Sequence, residues 1–398
     1  MKKILLTLVM AAVSLTALSQ EELKNAEKKT KDVQPELYRF TDQIRLESTP
    51  VRDQYRTGTC WSFAGIGTLE TDLLQQGKDF DLSEMWVVRN VYYLKAVRYV
   101  RMHGNATFSE GGLTADVMRA IKEFGIVPEE AYPGLNYGTT QHVHAELSKA
   151  LTAYVNAIIS NPNRKLSTAW KEGLNKILDA YFGERPEKFI YDGVEYTPHS
   201  FLKMTGINVD DYVSITSYTH HPFYARFILE IPDNWGWNKF YNVPMDEMTA
   251  IIDNALANGY AVGWDADVSE TGFRHSKGVA ILPVSEGKDV TGLSRTIGAQ
   301  EKTQTSSSLP KEIEVTQEYR QETFDNYLTT DDHLMVITGT AVDQNGTKYY
   351  IVKNSWDDSN LYGGYVYCSL PYVQAKTIGI IVNKNGLPSG IKQKLDIK

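Results

Sequence analysis

The chain has 398 residues, 42% of them hydrophobic and 11% aromatic, and a formal net charge of −8. That length and apolar share supply a core for one large domain or two ordinary ones and exclude a mainly disordered chain. The acidic balance, with no basic stripe interleaved with aromatics, gives no electrostatic reason to bind nucleic acid or anionic lipid, and two cysteines cannot staple a scaffold of this size.

The chain opens with the layout of a secretory signal: Lys2 and Lys3, an apolar run from Ile4 to Leu18, and the small-x-small site Ala17-Leu18-Ser19. The run is short for a membrane span, no cysteine follows it to carry a lipid, and no second run approaches spanning length. Removal of residues 1–19 is expected, with export of 20–398 to the periplasm or beyond and no membrane anchor. Residues 20–35 are charged and lead into an irregular approach.

The stretch RDQYRTGTCWSFAGIGTLETDLL, residues 52–74, follows. Phe63, Ile66, Leu69 and Leu73 have helical spacing and predict a buried stripe, with Cys60 in the first turn. A helix N-terminus carries unpaired N–H groups and a partial positive charge, so a thiol there ionises more readily, and the thiolate is the nucleophile. Gln54 lies in the turn-rich approach, from which its amide can reach the same point and hold an oxyanion. On this stretch alone a buried core thiol is the plainer reading of Cys60, and the rest of the chain must supply a base.

Ser83 reads as the N-cap of a helix whose Trp86, Val87, Val91, Leu94, Val97 and Val100 face a core. Gly111-Gly112 precedes a helix over about 114–124 closed by Gly125, and reads as a turn or as a place where substrate backbone passes close. Residues 141–185 are helical with a break at 161–163. Residues 186–243 are rich in Tyr, Pro and Trp, and the whole of 141–243 reads as an insertion or cap on the main body. A helix over 244–258 and the strand YAVGWDADV follow. Residues 285–311 are polar and read as a long loop or lid. The last part predicts antiparallel sheet, with LMVITGTAV and KYYIVKNSW joined by a hairpin at Asp343-Gln344-Asn345-Gly346, then GYVYCSL and TIGIIVN. The polar tail, 386–398, gives no compositional reason to pack in a core.

A cysteine nucleophile needs a base, and the base an orienting group. Of eight histidines, His333 stands out, at the mouth of a strong strand after Asp331-Asp332. The hairpin returns Asn354 to its level. There the carboxamide oxygen can accept the imidazole N–H, and Trp356 can cover that bond from water. A neutral orienting group suits a resting thiolate–imidazolium pair. His275 sits in a Gly- and Ser-flanked turn. His220-His221 with Glu230 or Asp233 lacks clean ligand spacing, and no metal is expected. Cys60 and Cys368 are expected as free thiols, since this chemistry needs Cys60 reduced.

In order along residues 50–368, QYRTGTCWSFAGIGTLE, LSEMW, SEGGL, DHLMVITG and YYIVKNSW resemble the nucleophile, Leu-Ser-Glu, Gly-Gly, His and Asn elements of the papain-like cysteine proteases. Gly363-Gly364-Tyr365 is similar to the Gly-Tyr that follows. Thr59 departs from the usual small residue before the nucleophile, Thr57 stands where a disulfide cysteine is common, and Asp357 replaces a glycine. None of these removes a catalytic group. The Cys60–His333 separation is far wider than the ~130–150 residues usual in that family. With free thiols and no propeptide-sized segment, the chain resembles the bleomycin hydrolase and aminopeptidase C branch.

This resemblance implies an α+β papain-like fold, with Cys60 on a helical subdomain and His333 and Asn354 on a β subdomain. It implies hydrolysis of peptide substrates through a thioester, without a cofactor, with Gln54 and the Cys60 N–H holding the oxyanion. Gly111, Gly112, Asp332 and Trp356 are expected at the substrate. It also implies a homo-oligomer, a hexamer, and a C-terminal arm, 386–398, that lies in the cleft and limits action to N-terminal residues. The alternatives are an endopeptidase of the same chemistry and an inactive papain-like binding protein. The intact Gln54, Cys60, His333 and Asn354 argue against the second.

Overall fold

The computed structural model describes residues 38–284 and 309–398. The expected signal segment and nearly all of the polar stretch at 285–311 lie outside the described residues. Among the described residues no helix is long and apolar enough to cross a membrane.

The strands are β1 (Thr41–Arg45), β2 (Phe189–Tyr191), β3 (Val194–Tyr196), β4 (Tyr212–Thr216), β5 (Arg226–Ile228), β6 (Lys239–Asn242), β7 (Val262–Ala266), β8 (Phe273–Arg274), β9 (Val279–Ala280), β10 (His333–Val342), β11 (Lys348–Lys353), β12 (Tyr365–Ser369) and β13 (Thr377–Asn383). β2 and β3 form a separate hairpin; the rest make one sheet in the order β5-β6-β4-β13-β7-β10-β11-β12-β9-β8, with β1 beside β10. β10 is the pivot. Its first half, His333–Ile337, pairs with β7, and its second half, Gly339–Val342, pairs with β1. The register shifts at Gly339, where a Cβ would lie 2.2 Å from the Ile44 carbonyl oxygen, so the change of partner requires glycine. The β10–β11 hairpin forms as expected, with Asp343 Oδ1 accepting from the Asn345 and Thr347 N–H groups.

The helices are α1 (Cys60–Leu74), α2 (Glu84–Arg101), α3 (Thr114–Phe124), α4 (Ala145–Ile159), α5 (Ala169–Phe182), α6 (Pro198–Thr205), α7 (Met245–Ala257), α8 (Gln317–Asp325), α9 (Leu370–Lys376) and α10 (Ser389–Lys394). α1 is not amphipathic. Every residue from Cys60 to Leu73 is buried, because the helix lies between β10 and β7 on one side and α2 and α3 on the other. Two of its buried hydroxyls turn back on their own helix, Thr68 to the Ala64 carbonyl and Thr71 to the Gly67 carbonyl, while Ser62 Oγ donates across to the Glu84 carbonyl of α2. Asp72 ties its far end to the sheet by accepting from Tyr212 Oη at 2.7 Å and the Ala261 N–H at 2.8 Å. As expected, Ser83 caps α2, its Oγ accepting from the Trp86 N–H at 3.0 Å.

Two expectations are corrected. The stretch 141–243 is not a cap set on the body. Leu151, Val155, Leu174 and Phe182 of α4 and α5 belong to the same core as Trp86 of α2, and β4 pairs with β13, so 212–242 form one wing of the main sheet. Nor is the tail unpacked. Leu387, Ile391 and Leu395, spaced by four, are only 4, 7 and 4% exposed. α10 lies along α7, with Asn254 Nδ2 donating to the Gly386 carbonyl and Lys394 paired with Glu247.

Candidate active site

Cys60 is the first residue of α1, and no acidic residue stands in that first turn to cancel the positive helix end. α1 packs against β10, and the backbone at Leu334, one residue beyond His333, favours the ionised form of the Cys60 thiol. The nucleophile helix and the His-bearing strand therefore meet where the sequence places the chemistry. Cys60 and Cys368 are both free thiols.

His333 opens β10, is 1% exposed, and directs Nε2 to Asn354 Oδ1 at 2.7 Å. Asn354 Oδ1 also accepts from the Ser355 N–H at 2.7 Å, a group that can only donate, so the carboxamide orientation is set. Nε2 must then carry the ring proton, and Nδ1 keeps its lone pair. Trp356 lies against the imidazole, ring centroids 4.6 Å apart, and is itself 1% exposed. It shields the His333–Asn354 bond.

Sequence reasoning missed His275. It is buried, packs its ring against Trp356, and takes Asn354 Nδ2 at 3.0 Å on its Nδ1. Both ends of the Asn354 carboxamide are thereby engaged. Only the fold brings His275 there, across 79 residues of chain, and its local turn carried no signal for the contact.

Gln54 is buried and bridges the two halves of the site. Its Oε1 accepts from Ser355 Oγ and its Nε2 donates to the Thr57 carbonyl, both at 2.7 Å. A primary amide has two N–H groups, and the second is available to a ligand.

The Gly111-Gly112 pair is a tight passage rather than a turn. Lys95, buried, donates to the Gly111 carbonyl from behind. A Cβ on Gly112 would stand 3.2 Å from the Trp61 ring, and one on Gly111 would stand 1.8 Å from Asp233 Oδ2. Asp233 comes from the loop after β5, anchored to α3 where Trp235 Nε1 donates to Asp116 Oδ2 at 2.8 Å. Asp332 does not face a ligand position. Its Oδ2 accepts from the Val268 and Ser269 N–H groups and its Oδ1 from Thr330 Oγ1, so it ties down the approach to His333.

Burial dominates the electrostatics. It pushes the Cys60 thiol well up, partly offset by the Leu334 backbone and reinforced by Asp331, Asp233 and Asp265. It lowers His333 to about 4, with the charge of His275 acting the same way and the hydrogen bond donated to Asn354 acting against it. Burial therefore works against charge on either group, while the Leu334 backbone and the Asn354 hydrogen bond work in its favour. What the arrangement offers is a thiol, an imidazole with a fixed tautomer, and an amide donor spare for a developing oxyanion.

The model of the Peptidase C1-like family matches residues 7–398. Aminopeptidase C of Lactobacillus delbrueckii subsp. lactis is 22% identical, aligned over 89% of this chain and 84% of its own. Aminopeptidase E of Lactobacillus helveticus is 24% identical, over 91% of this chain and 86% of its own. The crystal structure of PepW from Lactobacillus rhamnosis has the same fold, with a TM-score of 0.68 at 21% identity, covering 95% of this chain and 87% of that one. With the family match running over nearly its whole length, on an α+β papain-like fold, this chain belongs to the peptidase C1-like family.

Proposed function

We propose that the protein is a cysteine aminopeptidase, releasing residues from peptides with a free N-terminus through a thioester on Cys60. His333 Nδ1 takes the thiol proton and the sulfur attacks the carbonyl carbon. The tetrahedral oxyanion is held by the spare Gln54 N–H and the Cys60 backbone N–H. Collapse breaks the C–N bond, and His333 returns its proton to the leaving amine. Water then attacks the thioester, giving its proton to His333, and the thiolate leaves and is reprotonated. Asn354 holds the ring plane throughout.

The observation that favours an exopeptidase is Asp233. Its carboxyl fills the space a side chain on Gly111 would take, beside the Gly111-Gly112 stretch along which we place the substrate backbone N-terminal to the scissile bond. It both stops a longer chain and offers a negative charge to an α-amino group. This moves the amine-binding role from the terminal carboxylate of Lys398 to Asp233, because the tail's hydrogen bonds and ion pairs, among the described residues, go to α7 and Tyr224. The aminopeptidase names of the relatives support the same reading. Turnover of free-amine aminoacyl fluorogenic substrates against N-blocked peptides tests it. The first should be cleaved, the second spared, and a thiol alkylator should abolish the activity. Comparable cleavage of both substrates would instead make the protein an endopeptidase.

Export is part of the proposal and rests on Lys2, Lys3, the apolar run and the Ala17-Leu18-Ser19 site. A mature N-terminus at residue 20, read by mass spectrometry of the cell envelope fraction, is the expected result. A homo-oligomer rests on the family resemblance alone, and sedimentation would read it.

A further inference from the structure

His220 and His221 stand in the turn between β4 and β5, and Glu230 just after β5. Consecutive side chains on extended backbone point to opposite sides. Here the turn folds both imidazoles onto one carboxylate, with His220 Nε2 3.2 Å from Glu230 Oε2 and His221 Nε2 2.9 Å from Glu230 Oε1. One ligand atom from each residue can be chosen so that all three lie within 4.8 Å of one another. Ligand atoms bound to one tetrahedral zinc at about 2.0–2.1 Å stand roughly 3.3 Å apart, so the side chains are already near that spacing.

The rings are held from behind. The Gln321 amide of α8 faces His220 Nδ1, with Oε1 3.3 Å and Nε2 3.1 Å away, and Oε1 also accepts from the Thr219 N–H at 2.6 Å. An Nδ1–H donating to that oxygen leaves the Nε2 lone pair free, the arrangement that supporting partners of metal-bound histidines provide. His220 stacks on Phe324 and His221 on Phe227, at interplanar angles of 12° and 27°. The ligand face stays open, with the His220, His221 and Glu230 side chains 28, 35 and 58% exposed.

We propose that His220, His221 and Glu230 bind one first-row divalent cation, zinc foremost, with the remaining position taken by water. Two imidazoles and one carboxylate suit zinc, copper or nickel over calcium or magnesium, which prefer all-oxygen sites. Through Gln321 and Phe324 the ion braces the β4–β5 turn against α8. Glu230 is three residues before Asp233, so the same ion steadies the base of the loop that reaches Gly111. The cation site itself does not depend on the peptidase reading.

The test uses full-length protein stripped with chelator, with Cys60 alkylated so that its thiol cannot take the metal. Zinc titration by calorimetry should show saturable one-to-one binding and a raised Tm, and cobalt should give the visible bands of a low-coordinate nitrogen–oxygen site. Calcium should do neither. His220→Ala/His221→Ala should lose both responses while keeping the metal-free Tm. Where that variant fails to fold, Glu230→Gln, which keeps the volume, should weaken zinc binding at least tenfold. Absence of saturable zinc binding, or binding unchanged in these variants, would overturn the proposal and leave a hydrogen-bonded surface cluster.

Discussion

Two buried polar clusters flank Cys60, and they are built on opposite principles. In the chain His333–Asn354–His275, with Ser355 and Gln54 beside it, donors meet acceptors. In the other, acidic side chains crowd together: burial and neighbouring carboxyls raise Asp265, Asp331 and Asp332, while the Val268 and Ser269 N–H groups and Thr330 Oγ1 donate to Asp332. Acceptors facing acceptors are tolerated in a low-dielectric interior only if a proton stands between them. Burial raises Asp265 to about 8, and burial with the Asp267 charge raises Asp332 to about 8. The first cluster holds one geometry at any working pH. The second gathers carboxyls whose burial favours their protonated forms.

The largest effects should come from breaking the first cluster at its reacting ends. Cys60→Ala and His333→Ala should each lower kcat by on the order of 10³-fold or more, and the double variant should be no worse, because the two act as a unit. Gln54→Ala should cost about 10²–10³ in kcat if its spare N–H meets the oxyanion, and an effect on KM alone would remove it from that role. Asn354→Ala should cost less than His333→Ala, since the ring can still sample the productive pose. Cys368→Ala, on β12, should leave turnover unchanged.

Asp233 sharpens the comparison, because it is the carboxyl that reaches the cleft. Asp233→Asn should raise KM for free-amine substrates roughly 10–100-fold, the worth of a charge-assisted hydrogen bond, and change kcat little. Burial raises its carboxyl, with Lys95 and Ser109 pulling the other way. Amine binding should therefore weaken as pH falls into the acid range, with KM rising, and Asp233→Asn should abolish that dependence. A KM insensitive to the substitution would return the amine-binding role to another group.

The second cluster predicts an inverted pH dependence of stability. Unfolded aspartates titrate near 3.9, whereas Asp265 and Asp332 hold protons up to about 8 in the folded chain. Between those values the folded state binds more protons, so the free energy of unfolding falls as pH rises. That stabilisation is complete below about pH 4 and lost through about pH 8. For these groups Tm should drop from pH 5 to 8, and Asp332→Asn should flatten the slope. A Tm rising over that window, with no change in slope on substitution, would mean that the carboxyls are not protonated as a pair.

The first cluster was legible and the second was not, for physical reasons. Cys60, His333, Asn354 and Gln54 each sit in a local pattern, and one hairpin register carries Asn354 to His333. His275 reaches Asn354 only through the sheet. The donors to Asp332, the Val268 and Ser269 N–H groups, come from a turn more than sixty residues earlier in the chain and left no local pattern beside His333. The burial of α1 on all sides goes beyond the single stripe of Phe63, Ile66, Leu69 and Leu73, because Thr68 and Thr71 bond their own helix and are buried too. The wing at 212–242 read as a cap because β4 meets its partner β13 only some 160 residues later.

The smallest expected effect concerns the tail, and it separates two sources of negative charge for the substrate amine. A chain ending at Gly386 would lose the buried side chains Leu387, Ile391 and Leu395, each worth roughly 1.5–3 kcal/mol on full burial. It would confuse lost stability with lost specificity. Extending the chain past Lys398 by a few Gly and Ser residues is the cleaner change. It keeps α10 on α7 and the Lys394–Glu247 pair, while moving the terminal carboxylate several ångströms or more along a flexible link. If Asp233 receives the amine, the ratio of free-amine to N-blocked turnover should not change, nor should Tm. If the Lys398 carboxylate receives it, the extension alone should collapse that ratio, and Asp233→Asn should leave it intact. The two variants thus give opposite results for the two carboxylates, at a site where the resemblance to relatives and the packing of this chain's own tail point in different directions.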